Sequence, residues 1–441
     1  MAKLTTEQTM LRAKSHEKKG EVDQARVLYK TILDAFPNNK RAQIALAALD
    51  KSKPVGSDKG TNPPQDQLDA LVELYNKGHL SAAVDKAQLL VLDFPSSFLL
   101  WNIIGAANLG LRRLSEAEVG FSKAAELNPN NADAAYNLGI VLQEQLKLDE
   151  AVEAYQRALK IKPDYAEAHN NLGVLLNNLG KLGDAVKSHQ KALTFKPNYA
   201  ESHNNLGFTL RDQGKLDDAV ESYQRALRIN PNYADAQNNM GIALQDQGKF
   251  NEAIKAYRCA LKIKPDYAKA YNNLGTALKE QGKLEDAIEA YQHALQIKPD
   301  YAEAHNNMGN AYQNKGNPED AINYYQRALR TKPNYAEAHS NMGIALKDQG
   351  KLDEAIEAYQ RALKIKPDYA EAHSNMGIAL KDKGDLDASI ESYQKAIKIK
   401  PDYVEAYYNM GNVLNDKGDL DASIDSYKQA IKIKPDYELA H

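Results

Sequence analysis

Proline recurs through most of this chain at intervals of 34 residues. The eleven prolines of the series stand at positions 95, 129, 163, 197, 231, 265, 299, 333, 367, 401 and 435. No single globular core requires so strict a period, whereas a stack of equal helical repeats does. Each period holds two amphipathic stretches, and in residues 336–369 the break between them falls at Gly350. The sequence therefore predicts an all-α chain of stacked helix pairs.

Small residues recur at fixed places within the period, numbered here 1 to 34 with position 1 at Ala132. Glycine at position 15, as at Gly350, is expected to end the first helix in the left-handed conformation. Glycine at position 8 and alanine at position 20, such as Gly343 and Ala355, are expected where the two helices cross. The motif from Asp164 to Glu167 predicts a capping box at the next first helix.

Together these positions resemble the tetratricopeptide repeat (TPR) family, and the resemblance covers residues 64–437 as eleven units. It implies a TPR solenoid, a right-handed superhelix of helix-turn-helix repeats with a concave binding groove. Along the chain we expect degenerate TPR-like helices at 1–50, a linker at 51–63 and two divergent units at 64–131. Nine regular units follow at 132–437, and 438–441 begins an incomplete further unit.

Composition excludes several classes of function. The chain has 56 basic and 59 acidic residues and a net charge of −3, which argues against nucleic-acid binding. Its single cysteine, Cys259, excludes an internal disulfide and a cysteine-based zinc site. The most apolar run, residues 98–111, is too short to span a bilayer. We therefore expect a cytoplasmic protein with no cofactor and no membrane partner.

Asparagine forms a row along one side of the first helices. Positions 2, 6, 9 and 13 share that side because a helix turns 100° per residue. Position 6 is asparagine in nine consecutive repeats: Asn137, Asn171, Asn205, Asn239, Asn273, Asn307, Asn341, Asn375 and Asn409. An amide both donates and accepts hydrogen bonds, so such a row could hold the backbone of an extended peptide. Alternatively, the asparagines satisfy backbone groups of the adjoining helix.

The row resembles the asparagine ladder of O-linked N-acetylglucosamine transferase, whose TPR arm holds extended substrates, and in TPR proteins this side lines the groove. Position 2 is acidic in these repeats except at Lys269, and position 13 is acidic in seven of nine. The ligand is therefore expected to be basic or neutral. The TPR carboxylate clamp needs basic groove residues, and only Lys269 fits it.

Other chemistry is not indicated. Five histidines stand at position 4, on the packing side of the first helix, where core packing is expected rather than metal binding: His169, His203, His305, His339 and His373. No set of nucleophile, base and orienting group stands out, so we expect no catalysis. The chain is interpreted as a scaffold that binds protein or peptide.

Two alternatives and one further expectation remain. The N-terminal unit and the uniform array resemble bacterial TPR proteins that continue into glycosyltransferase or sulfotransferase domains. The chain could thus be the substrate-recognition arm of such an enzyme, with the catalytic domain absent from these residues, or a structural assembly factor. Because the last helix pair lacks a following repeat, we also expect the apolar side of residues 421–434 to be exposed, including Ile424, Tyr427 and Ile431. This end is expected either to self-associate with another chain or to belong to a truncated longer protein.

Overall fold

The computed structural model of the protein describes residues 5–19, 21–50 and 61–436. Twenty-five α-helices and no strands occur in these ranges, so the predicted fold class, an all-α TPR-type solenoid, is confirmed. The chain divides into two compact units, residues 1–213 and residues 214–441.

The first unit contains twelve helices, α1 (Thr6–Lys18), α2 (Val22–Ala35), α3 (Lys40–Asp50), α4 (Gln65–Asn76), α5 (Leu80–Asp93), α6 (Phe98–Gly110), α7 (Leu114–Leu127), α8 (Ala132–Glu144), α9 (Leu148–Ile161), α10 (Ala166–Asn178), α11 (Leu182–Phe195) and α12 (Ala200–Asp212). The second unit contains thirteen, α13 (Leu216–Ile229), α14 (Ala234–Asp246), α15 (Phe250–Ile263), α16 (Ala268–Glu280), α17 (Leu284–Ile297), α18 (Ala302–Asn314), α19 (Pro318–Thr331), α20 (Ala336–Asp348), α21 (Leu352–Ile365), α22 (Ala370–Lys383), α23 (Leu386–Ile399), α24 (Val404–Lys417) and α25 (Leu420–Ile433).

A ring packed on a glycine holds the regular helix pairs together, and in all but one of the pairs whose contact is given it is a tyrosine ring. In the pair α20–α21, a Cβ atom added to Gly343 at position 8 would lie 2.7 Å from Cε1 of Tyr359 at position 24. Tyr359 and Ala355 are both fully buried. A side chain at position 8 would displace the ring, which costs about 1–3 kcal/mol by overpacking. The expectation that small residues mark the helix crossing is confirmed.

Glycine at position 15 has the left-handed backbone expected of it. Its φ is 76° at Gly350 and 73° at Gly180, and nothing lies within 4 Å of an added Cβ at either residue. Two repeats have other residues there, Arg112 with φ 59° and Leu146 with φ 63°. Side chains disfavour this conformation because the Cβ approaches the backbone carbonyl, so both repeats carry local backbone strain.

The predicted capping box is wrong. Helix α10 has Tyr165 at its N-cap, and no side chain caps the helix there. Asp164 belongs to the turn that begins at Pro163, one residue too early to accept from the first turn. The same arrangement recurs at α20, where Tyr335 is the N-cap. The proline and its acidic or amide neighbour therefore form the connecting turn, and tyrosine begins the helix.

Two sequence expectations fall partly or wholly outside the described residues. Of the linker predicted at 51–63, only 61–63 are described, and they are not helical. The incomplete unit at 438–441 is not described. Within α25, Ile424 is 48% exposed, whereas Tyr427 and Ile431 are half-buried. Self-association through this helix stays a prediction.

The strained left-handed residue at Leu146 leads to a stability prediction. Leu146→Gly should raise the free energy of unfolding by about 1 kcal/mol, because glycine adopts φ near 63° without a steric cost. The side chain is 80% exposed, so little packing is lost with it. Urea unfolding followed by circular dichroism measures the change.

The reverse substitution at an equivalent residue of the same unit is the matched control. Gly180→Leu places a side chain at φ 73° and should lower the stability by a similar amount. Equal stability of Leu146→Gly, Gly180→Leu and the unaltered chain would refute the assignment of strain to position 15.

Candidate functional site

The asparagine row lies half-buried along the first helices. All nine side chains have intermediate exposure, three of them on α8, α10 and α12 and six on the even-numbered helices from α14 to α24. Position 5 beside them is more deeply buried, with Asn170 and Asn272 at 0% and 7% exposure. The row therefore stands at the boundary between the packed interior and the open side of each first helix.

Amides of the row bond to position 5 of the preceding repeat. In the first unit, Nδ2 of Asn171 donates to the Tyr136 hydroxyl at 3.0 Å, and Nδ2 of Asn205 donates to Oδ1 of Asn170 at 3.2 Å. In the second unit three further Nδ2 groups donate to Oδ1 of the preceding position 5, at 3.0, 3.0 and 3.1 Å: Asn273 to Asn238, Asn307 to Asn272, and Asn341 to Asn306. Side-chain bonds thus connect successive first helices.

This pairing corrects the structural alternative considered from the sequence. The amides bond to a neighbouring side chain and not to the backbone of the adjoining helix. One N–H of each bonded amide is engaged, and an amide has two. The bond to position 5 thus uses one N–H of each amide and leaves the second outside this contact.

Three members of the row, Asn137, Asn375 and Asn409, have no side-chain hydrogen bond within the described ranges. Asn137 follows Asn102 at position 5 of the preceding repeat, whose buried Oδ1 has no partner among the described residues. Asn375 and Asn409 follow repeats in which position 5 is serine, Ser340 and Ser374. Within the described ranges neither amide has a side-chain hydrogen bond, since the serine side chain is too short to reach it. These two amides keep their whole hydrogen-bonding capacity.

Position 9 supplies apolar surface next to the amides. Phe208 is 40% exposed there, and Ile242 and Ile344 are half-buried at the same position. Where position 9 is polar, it accepts from the core tyrosine instead: the Tyr325 hydroxyl donates to Oδ1 of Asn310 at 2.8 Å. The open side of the first helices therefore alternates amides with small apolar patches.

The acids at position 2 are partly neutralised. The Tyr165 hydroxyl donates to Asp133 at 2.8 Å, and Nζ of Lys196 lies 2.8 Å from Glu167. The hydrogen bond from Lys196 lowers the pKa of Glu167. Burial and then the bond to Asp133 raise the pKa of Tyr165, so its hydroxyl stays a neutral donor. Position 2 is thus less negative than the sequence suggests.

Sequence analysis missed the lysine at position 31 that causes this neutralisation. Its ammonium group lies over the tyrosine ring at position 34, at 4.3 Å for Lys196 on Tyr199 and 4.5 Å for Lys332 on Tyr335. Such contacts contribute about 0.5–1 kcal/mol at exposed sites. The recurring Lys-Pro-Asp/Asn-Tyr sequence was the available signal, since it fixes lysine and tyrosine three residues apart around a turn.

Some acids on this side keep their charge uncompensated. At position 13, Asp348 is paired with Lys347 at 3.2 Å, and Asp416 with Lys381 at 3.0 Å. Among the described residues, Glu337 at position 2 and Asp382 at position 13 have no ion pair within 4.0 Å. Two carboxylates on this side of the second unit thus have no paired cation among the described residues.

The position-4 histidines are packing residues, as expected. Nε2 of His169 donates to the Pro163 carbonyl at 2.9 Å, and Nε2 of His305 donates to the Pro299 carbonyl at 2.9 Å. Both rings are at most 7% exposed, and burial lowers the pKa of each. Each ring thus closes the turn before its own helix.

His189 is a buried histidine that the sequence analysis did not single out. It stands at position 24 in place of tyrosine and packs on Gly173, where an added Cβ would lie 2.6 Å from its ring. The residue is fully buried, and both ring nitrogens are unpartnered among the described residues. Burial lowers its pKa to about 4.

Catalytic and metal chemistry find little support in the described ranges. No group of three or more His, Cys, Asp or Glu in residues 5–19, 21–50 and 61–436 is placed to hold a metal ion. Cys259 is exposed and unpaired. None of the described helices is both long and apolar enough to cross a membrane. What the geometry offers is a periodic surface of amides, apolar patches and paired charges, which defines a helical-repeat protein.

Family comparison identifies which kind of repeat protein this is. A model described as "TPR repeat" matches residues 147–180, 209–248, 244–282, 275–316, 345–384 and 379–415. Models described as "Tetratricopeptide repeat" match 166–199, 302–335 and 404–437, then 121–153, 190–221 and 324–357, and also 10–39. Together they cover 121–437 without a gap. The chain belongs to the tetratricopeptide repeat family.

Solved structures with matching helices are mostly shorter than this chain. The crystal structure of MamA is 30% identical and covers 37% of this chain and 95% of its own, with a TM-score of 0.35. YrrB, described as a TPR protein with an unusual peptide-binding site, is 26% identical and covers 42% of this chain and 96% of its own, with a TM-score of 0.36. PilF of Pseudomonas aeruginosa is 22% identical and covers 47% of this chain and 94% of its own, with a TM-score of 0.43. A comparison with curated proteins finds no match.

Burial of His189 leads to a pH prediction. Its pKa is about 4 in the folded chain and about 6.5 when unfolded. The unfolded state therefore binds more protons below pH 6.5, and stability is lost as the pH falls from 6.5 towards 4. His189→Tyr restores the usual residue against Gly173 and should remove about 2 kcal/mol of the loss between pH 7.5 and 5.

Urea titrations of the two proteins at both pH values provide the measurement. His79→Tyr, on an exposed residue of the same unit, controls for the change of residue type. An identical pH dependence in the His189→Tyr variant would show that this ring is not a source of acid lability.

Proposed function

We propose that the chain is a scaffold that binds an extended peptide or protein segment along the open side of its first helices and catalyses no reaction itself. The asparagine row is the principal contact with the backbone of the ligand. Position 9 receives apolar side chains, and the uncompensated acids favour a basic or neutral segment. Membership of the TPR family supports the general role in protein–protein interaction.

The observation that carries this proposal is the geometry of the amides. Each bonded member is held by position 5 of the preceding repeat, as Asn307 is by Asn272 at 3.0 Å. A held amide loses little rotamer freedom when a ligand binds, and its second N–H is oriented in advance. An extended peptide offers backbone carbonyls at regular spacing, so a regular row of fixed donors suits it.

The charged residues beside the asparagine row support a basic or neutral ligand. Glu337 and Asp382 have no ion pair among the described residues. Lysine at position 31 is held against tyrosine and, at Lys332, also lies 3.2 Å from Glu303. The cations on this side are therefore partly neutralised, and the free acids attract a basic segment during encounter.

Selection from a random peptide library against the purified chain tests the proposal first. It should enrich extended, proline-tolerant sequences of neutral or positive net charge. Enrichment of strongly acidic sequences would contradict the proposed ligand class. Binding of the selected peptide that is equally tight in all the row variants described below would also contradict it.

Removing the amides of the second unit should weaken binding of the selected peptide. Changing Asn239, Asn273, Asn307, Asn341 and Asn375 together to alanine should raise the Kd at least tenfold, about 1.4 kcal/mol. The fold should survive, because each amide contributes only about 0.5–1.5 kcal/mol of stability. Isothermal titration calorimetry and thermal unfolding measure the two effects.

Two single variants separate the structural role from the binding role. Asn307→Ala leaves the buried Asn272 without its donor and should lower both stability and affinity. Asn375→Ala breaks no side-chain bond of the described residues and should lower affinity alone. If Asn375→Ala binds as tightly as the unaltered chain, the row is structural.

The acids should control the rate of association. Glu337→Gln with Asp382→Asn should slow association of a basic selected peptide, and the difference should shrink as ionic strength rises from about 0.01 to 1 M, where screening shortens from about 30 to 3 Å. Stopped-flow fluorescence measures it. A salt-independent rate that is equal in both proteins would show that these carboxylates do not steer the ligand.

A further inference from the structure

One second helix, α11, departs from its counterparts on the surface as well as in the core. Gly183 replaces an acidic or amide residue at position 18, Lys187 stands at position 22 where α9 has Glu153, and Phe195 replaces the usual isoleucine at position 30. In the core, the buried His189 replaces the tyrosine of α9, whereas Ser188 before it also has serine counterparts in α13, α23 and α25. Helix α11 thus has two lysines and one acid, whereas α9 has three acids and two bases.

These changes surround an open cleft of about 720 Å³ in the first unit. The cleft lies between α9 and α11 and is floored by α10, with Leu172 and Leu176 at its base and Val152 and Leu159 on the α9 side. Phe195 forms another wall, 47% exposed, and its ring stacks on His169 with centroids 5.8 Å apart. The floor residues occupy positions 7 and 11, so the cleft is not on the side of the asparagine row.

The rim of the cleft is basic. Lys160, Lys181, Lys187 and Lys191 line it and are exposed. The single acid in the lining, Asp184, lies 3.0 Å from Lys187. His169 is kept neutral, because burial lowers its pKa and Lys191 lowers it further. An apolar floor beneath a rim of positive charge results, although the chain as a whole has a net charge of −3.

Another repeat shows how the same space is closed. In α19, position 23 is Tyr324, whose ring stacks on His305 at 6.1 Å and on Tyr312 at 5.3 Å. The Arg327 guanidinium lies over that ring at 5.2 Å. In α11 the residue at position 23 is Ser188, whose hydroxyl bonds to the Asp184 carbonyl of its own helix. Serine leaves open the space that tyrosine fills, as alanine or serine does at position 23 of the other regular second helices, so the basic rim and Phe195 are what distinguish α11.

We propose that this cleft, the lysine cleft, binds an acidic segment of a partner protein that inserts one aromatic or large aliphatic side chain between α9 and α11. The apolar floor and Phe195 receive the inserted side chain, and the lysines at the rim pair with carboxylates on either side of it. Charge complementarity favours an acidic ligand, because four exposed lysines line the cleft and its one carboxylate is already paired with a lysine. The ligand differs in sign from that of the asparagine row, so one chain would hold two segments of opposite charge.

The test uses the full chain and a defined probe. The probe is a fluorescein-labelled seven-residue peptide with a central tryptophan and three glutamates on each side. Fluorescence anisotropy should give saturable binding at low ionic strength. The same peptide with alanine in place of tryptophan should bind at least tenfold more weakly, and a lysine version should not compete. Failure of the acidic probe to bind, or equal binding of the tryptophan and alanine peptides, overturns the proposal.

Variants locate the binding. Lys187→Glu with Lys191→Glu should weaken the probe at least tenfold, whereas Lys398→Glu with Lys432→Glu makes the same charge change on α23 and α25 and should not. Ser188→Tyr introduces the ring that closes the equivalent space beside His305 and should abolish binding. Because Ser188 is buried, Phe195→Ala provides a second variant at a half-exposed wall, with circular dichroism as the folding check. Equal affinity of the cleft and control variants overturns the proposal.

Binding of the acidic probe to the lysine cleft does not depend on peptide binding by the asparagine row. The variant with five row asparagines changed to alanine should bind the acidic probe as the unaltered chain does. Loss of probe binding in that variant, with the Lys187→Glu, Lys191→Glu variant unaffected, would place the acidic segment on the asparagine row and overturn the lysine cleft.

Discussion

The contact of a tyrosine ring with a glycine determines the geometry on which both candidate surfaces depend. The Tyr359 ring packs directly on Gly343, 2.7 Å from the place of an added Cβ, so any side chain on the glycine would push the ring and its helix away. The tyrosine is fully buried and contributes a large apolar area, in the range of 150–250 Å² for an aromatic side chain. Within each unit a contact of this kind recurs every 34 residues, with histidine in place of tyrosine at His189, and it gives successive helix pairs a similar geometry.

Regular orientation explains why the amides can bond from repeat to repeat. The row needs position 6 of one first helix within about 3 Å of position 5 of the preceding one, and this holds for Asn273, Asn307 and Asn341. Among the described residues the bond is absent where position 5 is Ser340 or Ser374, and it is absent also at Asn137, which follows Asn102. The row is therefore held by the solenoid and does not itself set the spacing, which leaves its remaining donors available for recognition.

The period predicted the helices, the left-handed glycines and the packed histidines, because each of these follows from local sequence and one helical face. The capping box failed because the turn that Pro163 begins takes up Asp164, so that Tyr165 becomes the N-cap. The bonds of the asparagine row could not be read from one repeat, since they depend on the distance between two helices. The contact of the lysine at position 31 was overlooked because its tyrosine partner lies across a turn. Helical periodicity predicts which side chains meet within a helix but not which meet across a turn.

The residues of α11 that differ from their counterparts in the other repeats were not interpreted from the sequence, and in the structure they distinguish this helix from the rest. His189 and Phe195 look like tolerated variation when each is compared with its counterparts in the other repeats. In the structure they lie on one helix, α11, and its surface residues line a basic cleft beside His169. A repeat scaffold can differ in function from its relatives through such a helix while its packing contact, here His189 on Gly173, keeps the same place.

A crystal structure of the chain with a library-selected peptide is the direct test of whether the asparagine row binds an extended segment. Peptide backbone atoms should lie within hydrogen-bonding distance of position-6 amides in at least three consecutive repeats of the second unit, with the bonds to position 5 retained. Binding by the row would be contradicted by a peptide bound elsewhere, with those amides contacting only position 5 and solvent.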